Sequence, residues 1–146
     1  YNYRLSNICA GIGRGQLKVL DQRIAQKTNI YRQYQMELEK DGYMTMIPVP
    51  ENTKPNHWLS VALIPADKTK VGPIQIVEAL QEKNIEARRV WKPMHMQPVF
   101  QNYDFIKIEE TSVAEEFFEK GICLPSDTKM TEEEQDMVIQ EMKKLF

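Results

Sequence analysis

Apolar residues recur in alternating steps of three and four at Leu17, Leu20, Ile24, Tyr31, Tyr34 and Leu38, with Lys27 as the one exception. That spacing draws a single stripe along an amphipathic helix. A helix over 17–40 would run about 36 Å at 1.5 Å per residue. Asp41-Gly42 supplies its stop, since glycine can take the left-handed conformation at a helix end. A stripe of this length has to be covered. Packing on a sheet of the same chain is the plainer solution. A coiled-coil dimer is the alternative, but the run is short for sustained heptads.

The remaining chain offers such a sheet. Residues 43–49 alternate loosely and run into Pro48 and Pro50, so they read as an edge strand. Residues 58–64 are nearly all apolar and end at Pro65, which reads as a strand covered on both faces. Gly72-Pro73 opens a helix, with Ile74, Val77 and Leu80 as its inward stripe and Asn84 at its end. Residues 85–90 follow as a short strand, which completes a βαβ-sized unit. Residues 91–103 are aromatic and broken by prolines. Thr111 or Ser112 caps a short helix bearing Val113, Phe117 and Phe118, closed by Gly121. Residues 122–124 form another short strand. Thr131-Glu132-Glu133-Glu134 is a capping box that opens the last helix, with Met137, Val138, Met142 and Leu145 inward. The expected class is α+β: a small mixed sheet of about three strands packed against helices, with a long helix near the N-terminus.

A second feature lies before the stripe. The first seven residues include Tyr1, Asn2, Tyr3, Arg4, Ser6 and Asn7, a concentration of donors ahead of a helix start. Ser6 or Asn7 is a natural N-cap. Free N–H groups and the helix dipole at such a place favour an anion. An ordinary capped helix explains the same residues. Gly11, Gly13 and Gly15 do not complete a dinucleotide loop, because Gln16 stands where the third glycine belongs. They read as close-packing positions, with a helix break near Gly15 if that packing is absent.

Other chemistry is sparse. His57 and His95 are the only histidines, and with Cys9 and Cys123 they show no ligand spacing, so no metal site is expected. Both cysteines sit in apolar settings and are expected to be buried free thiols, as in a reducing, cytoplasmic compartment. Ser126 has no evident base. The segment Arg88-Arg89-Val90-Trp91-Lys92-Pro93-Met94-His95 could neutralise a diphosphate and cover a ring. A solvated basic loop with a core tryptophan is the alternative. A net charge of −2 over 146 residues argues against broad binding to nucleic acid or an anionic membrane. No apolar run approaches the ~18 residues of a membrane span.

Three stretches, in order, resemble the PLP-dependent nucleotide-sugar aminotransferases of the DegT/DnrJ type. Asn2, Arg4, Ser6, Gly13, Gln16 and Leu17 are similar to that family's Gly-x-Asn-x-Arg-x-Ser/Thr pattern and the helix after it. The 89–100 segment, with Trp91, Pro93, His95, Gln97 and Pro98, is similar to its aromatic-x-Pro-Leu-His-x-Gln-Pro segment. Leu124-Pro125, with Met130-Thr131 and Glu133, resembles its Leu-Pro…Met-Thr-x-Glu ending. The resemblance implies the C-terminal small domain of a fold type I aminotransferase over residues 1–146, with the large domain and its Schiff-base lysine outside these residues. It implies transfer of an amino group from Glu or Gln to a keto-deoxy nucleotide sugar, in cell-surface polysaccharide or glycan biosynthesis. It implies homodimers in which Asn2 and Arg4 reach the pyridoxal phosphate of the neighbouring subunit. Arg89, Trp91, Lys92 and His95 would face the nucleotide sugar. No residue here is expected to be catalytic, and the chain alone is expected to be inactive. The alternative is a non-catalytic α+β dimerisation or interaction module.

Overall fold

Tyr34 shows how the stripe is covered. Its side chain is fully buried, its hydroxyl donates to Pro125 O at 2.9 Å, and burial pushes its phenol well above the ordinary range. In this computed structural model, which describes residues 3–108, 110 and 112–146, the helix expected over 17–40 is shorter, and the helix expected to open near Ser6 ends before it, as the break expected near Gly15 implies. Helix α1 spans Asn7–Leu17 and α2 spans Leu20–Leu38. The break falls at Lys18 and Val19, where both N–H groups bond three residues back, to Gly15 O and Gln16 O. Two glycines in the last turns of α1 weaken its propensity, and the chain tightens and turns there. Beyond Leu38, Gly42 takes φ 73°, the left-handed conformation the stop requires.

The sheet contains β1 (Thr45–Met46), β2 (Ser60–Leu63), β3 (Arg88–Arg89) and β4 (Gly121–Leu124), in the order β1-β2-β4-β3. Two expectations are corrected. There are four strands rather than about three, and every neighbouring pair is antiparallel rather than mixed. Helix α3 (Pro73–Gln81) does connect two strands that run the same way, β2 and β3. They are not neighbours, because β4 is inserted between them. All four residues of β4, Gly-Ile-Cys-Leu, are buried, and a strand so apolar is best satisfied at the centre of a sheet.

Strand alternation then divides the sheet. Ala62, Ile122 and Leu124 face a core shared with Met46 and with Ile30, Tyr34 and Leu38 of α2. Ile76 and Leu80 of α3 and Val138, Ile139 and Met142 of α5 (Glu132–Lys143) complete it. Val61 and Cys123 pair across the strands on the opposite side. Helix phases depart from expectation. In α3, Ile76 and Leu80 point inward and Ile74 is exposed. In α5 the stripe is Gln135, Val138, Ile139 and Met142, and Met137 is exposed. Gln135 can be buried because its amide donates to Ile30 O at 2.8 Å. Ser112 caps α4 (Val113–Lys120), whereas Thr111 lies outside the described residues, and Val113 is exposed.

Gly121 is required where α4 meets β4. A Cβ there would lie 2.2 Å from Phe117 O and 2.5 Å from Val90 Cγ2. Only a glycine lets Val90 come this close, and its N–H donates to Gly121 O at 3.2 Å. That contact places Trp91, the next residue. Among the described residues no helix is long and apolar enough to cross a membrane.

Candidate functional site

Trp91 leaves the sheet beside Trp58, which precedes β2. Their rings lie nearly parallel, at 20° and 6.1 Å between centroids. Both are largely in water, Trp58 at 65% and Trp91 at 62% exposure. The expected alternative of a core tryptophan at 91 is therefore ruled out. The pair forms a wall common to two hollows. One, of about 310 Å³, continues over Tyr31, Pro48, Pro50 and His57. The other, of about 280 Å³, continues over Arg88, Arg89, Cys123 and Ser126. A larger hollow, of about 640 Å³ between Asn84 and α5, contains none of the residues expected to bind substrate or cofactor.

The basic residues do not converge on one anion. Arg88 sits opposite Cys123 and Arg89 opposite Ile122, and neighbouring strand residues point to opposite faces. Arg88 bonds Glu86 at 2.8 Å through Nε, both side chains lying in solvent. Arg89 turns to α4, donating to Phe118 O at 2.8 Å with its guanidinium 4.1 Å from the Phe118 ring centroid. Its buried Nε has no hydrogen-bond partner among the described residues. Lys92 is exposed, and its carbonyl accepts from the Gln97 amide at 3.2 Å. His95 also engages α4, with Nε2 2.7 Å from Glu115 Oε1, and it stacks on Phe105 at 3.6 Å. Helix α4 thus clamps the 89–95 segment at both ends and leaves Trp91 and Lys92 outward between the clamps.

At the N-terminal feature, Asn2 lies outside the described residues. Arg4 precedes Ser6, which caps α1 by accepting from Cys9 N at 3.2 Å, and no acidic residue stands in the first turn. The close packing expected around the glycines is absent here, since a Cβ at Gly11, Gly13 or Gly15 would meet nothing within 4 Å. Cys9 is exposed rather than buried, because α1 buries no residue. Cys123 is buried, which pushes its thiol up against a smaller opposing pull from Arg88, and that disfavours the thiolate. Among the described residues no three His, Cys, Asp or Glu side chains cluster as metal ligands.

Three further residues shape this site. Trp58, expected inside the strand over 58–64, stands just before β2. His57 takes φ 46° and lays its ring 4.2 Å from that of Tyr31. Burial, with the Arg32 charge as a smaller cause, lowers the His57 pKa. Lys27 donates to Trp58 O at 3.0 Å and also to Ser126 O. Its signal was the polar break in the stripe.

Residues 1–143 match the model of the DegT/DnrJ/EryC1/StrS aminotransferase family. The chain is 42% identical over 147 residues to the Bacillus subtilis protein named "Putative pyridoxal phosphate-dependent aminotransferase EpsN", covering 100% of this chain and 37% of that one. It is 29% identical over 137 residues to a GDP-perosamine synthase of Escherichia coli O157:H7, covering 92% of this chain and 34% of that one. Among solved structures, the fold matches Helicobacter pylori PseC, an aminotransferase in pseudoaminic acid biosynthesis, with a TM-score of 0.83 at 22% identity. That match covers 100% of this chain and 38% of PseC. The chain thus spans little more than a third of the length of the relatives it matches.

Proposed function

This chain belongs to the DegT/DnrJ/EryC1/StrS aminotransferase family, and from that premise we propose that it forms the small C-terminal domain of a nucleotide-sugar aminotransferase. The reaction exchanges a keto oxygen on a nucleotide-linked deoxysugar for the amino group of Glu or Gln, leaving the donor as its keto acid. The continuous family match carries the reading, and the walled site beside Trp91 supports it. An exposed indole offers a face to a planar ring, and Lys92 next to it offers a cation to phosphate. Arg89 and His95, already engaged by α4, serve the substrate by holding this segment in shape.

In this family the cofactor is pyridoxal phosphate, which when bound carries the amino group between donor and acceptor. The residues here fit its anionic end. Arg4 stands ahead of a capped helix start with no acid in its first turn, and Asn2 adds amide donors. No lysine lines either hollow at the tryptophan wall. The family resemblance places the lysine that attaches the cofactor in the large domain, outside these 146 residues, so the small domain alone is expected to be inactive. The enzyme is a homodimer in which Asn2 and Arg4 act on the partner subunit's cofactor.

A complementation experiment tests this. Charge-assisted bonds of about 1.5–3 kcal/mol imply that Arg4→Ala in the enzyme weakens cofactor binding roughly tenfold to a hundredfold, and Asn2→Ala somewhat less. An Asn2→Ala/Arg4→Ala chain mixed with one lacking the attaching lysine should regain part of its activity, because each heterodimer holds one complete site. Heterodimers that form and stay inactive would sink the cross-subunit role.

A further inference from the structure

Lys27 occupies the one stripe position where an apolar residue was expected, and its side chain is half-buried. Its ammonium spans two strand ends. It donates to Trp58 O, two residues before β2, and to Ser126 O, two residues after β4. Those ends are also tied to each other: Ser126 Oγ accepts from Ser60 N at 3.0 Å and donates to Leu124 O at 2.9 Å. Tyr34, two turns on along α2, holds the intervening Pro125 carbonyl at 2.9 Å. Trp58 is consequently fixed through both polar groups of its backbone. Its carbonyl is held by Lys27, and its N–H donates to Asn56 Oδ1 at 3.0 Å. The left-handed His57 between them turns the chain so that the indole stands outward against Trp91.

We propose that Lys27 is the positioning residue of the tryptophan wall: its grip on the Trp58 and Ser126 carbonyls holds the Trp58 indole parallel to Trp91, presenting the face on which the nucleobase of the substrate rests. An apolar side chain at 27 would continue the stripe but leave both carbonyls without this donor. A charged ammonium reaches two acceptors at once, since it carries three N–H groups on a long stem. The nucleobase part rests on the substrate reading above, and the positioning part does not.

Trp58 and Trp91 are the chain's only two tryptophans, so an indole–indole exciton couplet in circular dichroism reports their mutual geometry alone. The couplet should be present in the unmutated chain and absent in Trp91→Phe. Lys27→Met should reduce it to the Trp91→Phe level while the helical signal stays, and Lys27→Arg, which keeps charge and donors, should retain it. A folded Lys27→Met chain with a lowered melting temperature and an unchanged couplet would show a merely structural lysine and overturn the proposal. If Lys27→Met does not fold, trace acetylation of the unmutated chain decides. Lys27 should react roughly tenfold more slowly than Lys18, which is exposed in the turn between α1 and α2. Equal reactivity would overturn the proposal. GDP and UDP are then titrated by tryptophan quenching. Binding to the unmutated chain that weakens about tenfold in Lys27→Met supports both parts. A Lys27-dependent couplet with no quenching by either nucleotide overturns the substrate reading and leaves the positioning role standing.

Discussion

The two ends of the helical stripe carry the same kind of residue at the same spacing and meet opposite surroundings. Toward the C-terminal end, Ile30, Tyr31, Tyr34 and Leu38 are buried against the sheet and α5. Toward the N-terminal end, Leu17 is 68% exposed, and Leu5, Ile8, Ile12 and Leu20 face water with it. Periodicity states that a face wants cover. It does not state which molecule supplies the cover. Exposed apolar residues at this end are what the small-domain proposal expects, since that reading leaves them to be covered by the rest of the enzyme.

The sharpest break between the two ends should appear in stability. Tyr34→Ala removes a fully buried ring and the hydrogen bond to Pro125 O, so it should cost about 3–5 kcal/mol in urea unfolding. A cost below about 1 kcal/mol would mean that the C-terminal end is not the core that it is described to be. The uncovered end should behave inversely. Ile12→Ser with Leu17→Ser should change stability by less than about 0.5 kcal/mol per site while reducing hydrophobic-dye binding and self-association of the chain. A monomeric unmutated chain that binds no dye at high concentration would remove the case for a missing partner.

The smallest effect concerns the pairing that closes the covered end. Lys143 on α5 meets Glu37 of α2 at 2.5 Å, and that hydrogen bond, with the charges of Lys143 and Lys40, holds the Glu37 carboxyl below the usual range. A depressed carboxylate pKa stabilises the fold fully above the unfolded value of about 4.3 and loses that contribution as pH falls through the folded value. Urea midpoints of the unmutated chain and Glu37→Gln should therefore differ near neutrality and converge in acid. The pair is only half-buried, so the gap should be small and shrink with salt. A gap that widens on acidification would reverse the sign and discard the assignment.

Local chemistry was legible wherever one residue type suffices. The Ser6 and Thr131 caps, the Gly42 stop, the Pro73 start and the apolar 60–63 and 122–124 strands follow from rules that involve only near neighbours. Pairing was not legible. β2 and β3 surround a helix of ordinary length, and nothing local says that β4, some thirty residues on, will enter between them. Helix phase failed for a related reason. Ile74 and Met137 fit a stripe as well as Ile76 and Ile139 do, and the choice was made by which face the sheet presented.

The sequence by itself determined the α+β class, most of the elements, and through three ordered motifs the family. Each of those depends on residue types at short, countable separations. Only the tertiary structure decided that Arg88 and Arg89 diverge, that α4 claims Arg89 and His95, and that Trp58 joins Trp91 with Lys27 behind it. Those residues lie 20 to 99 positions apart in their bonds, from His95 to Glu115 up to Lys27 to Ser126. A spacing rule cannot reach that far, because the distance between two such side chains is set by the packing of every element between them.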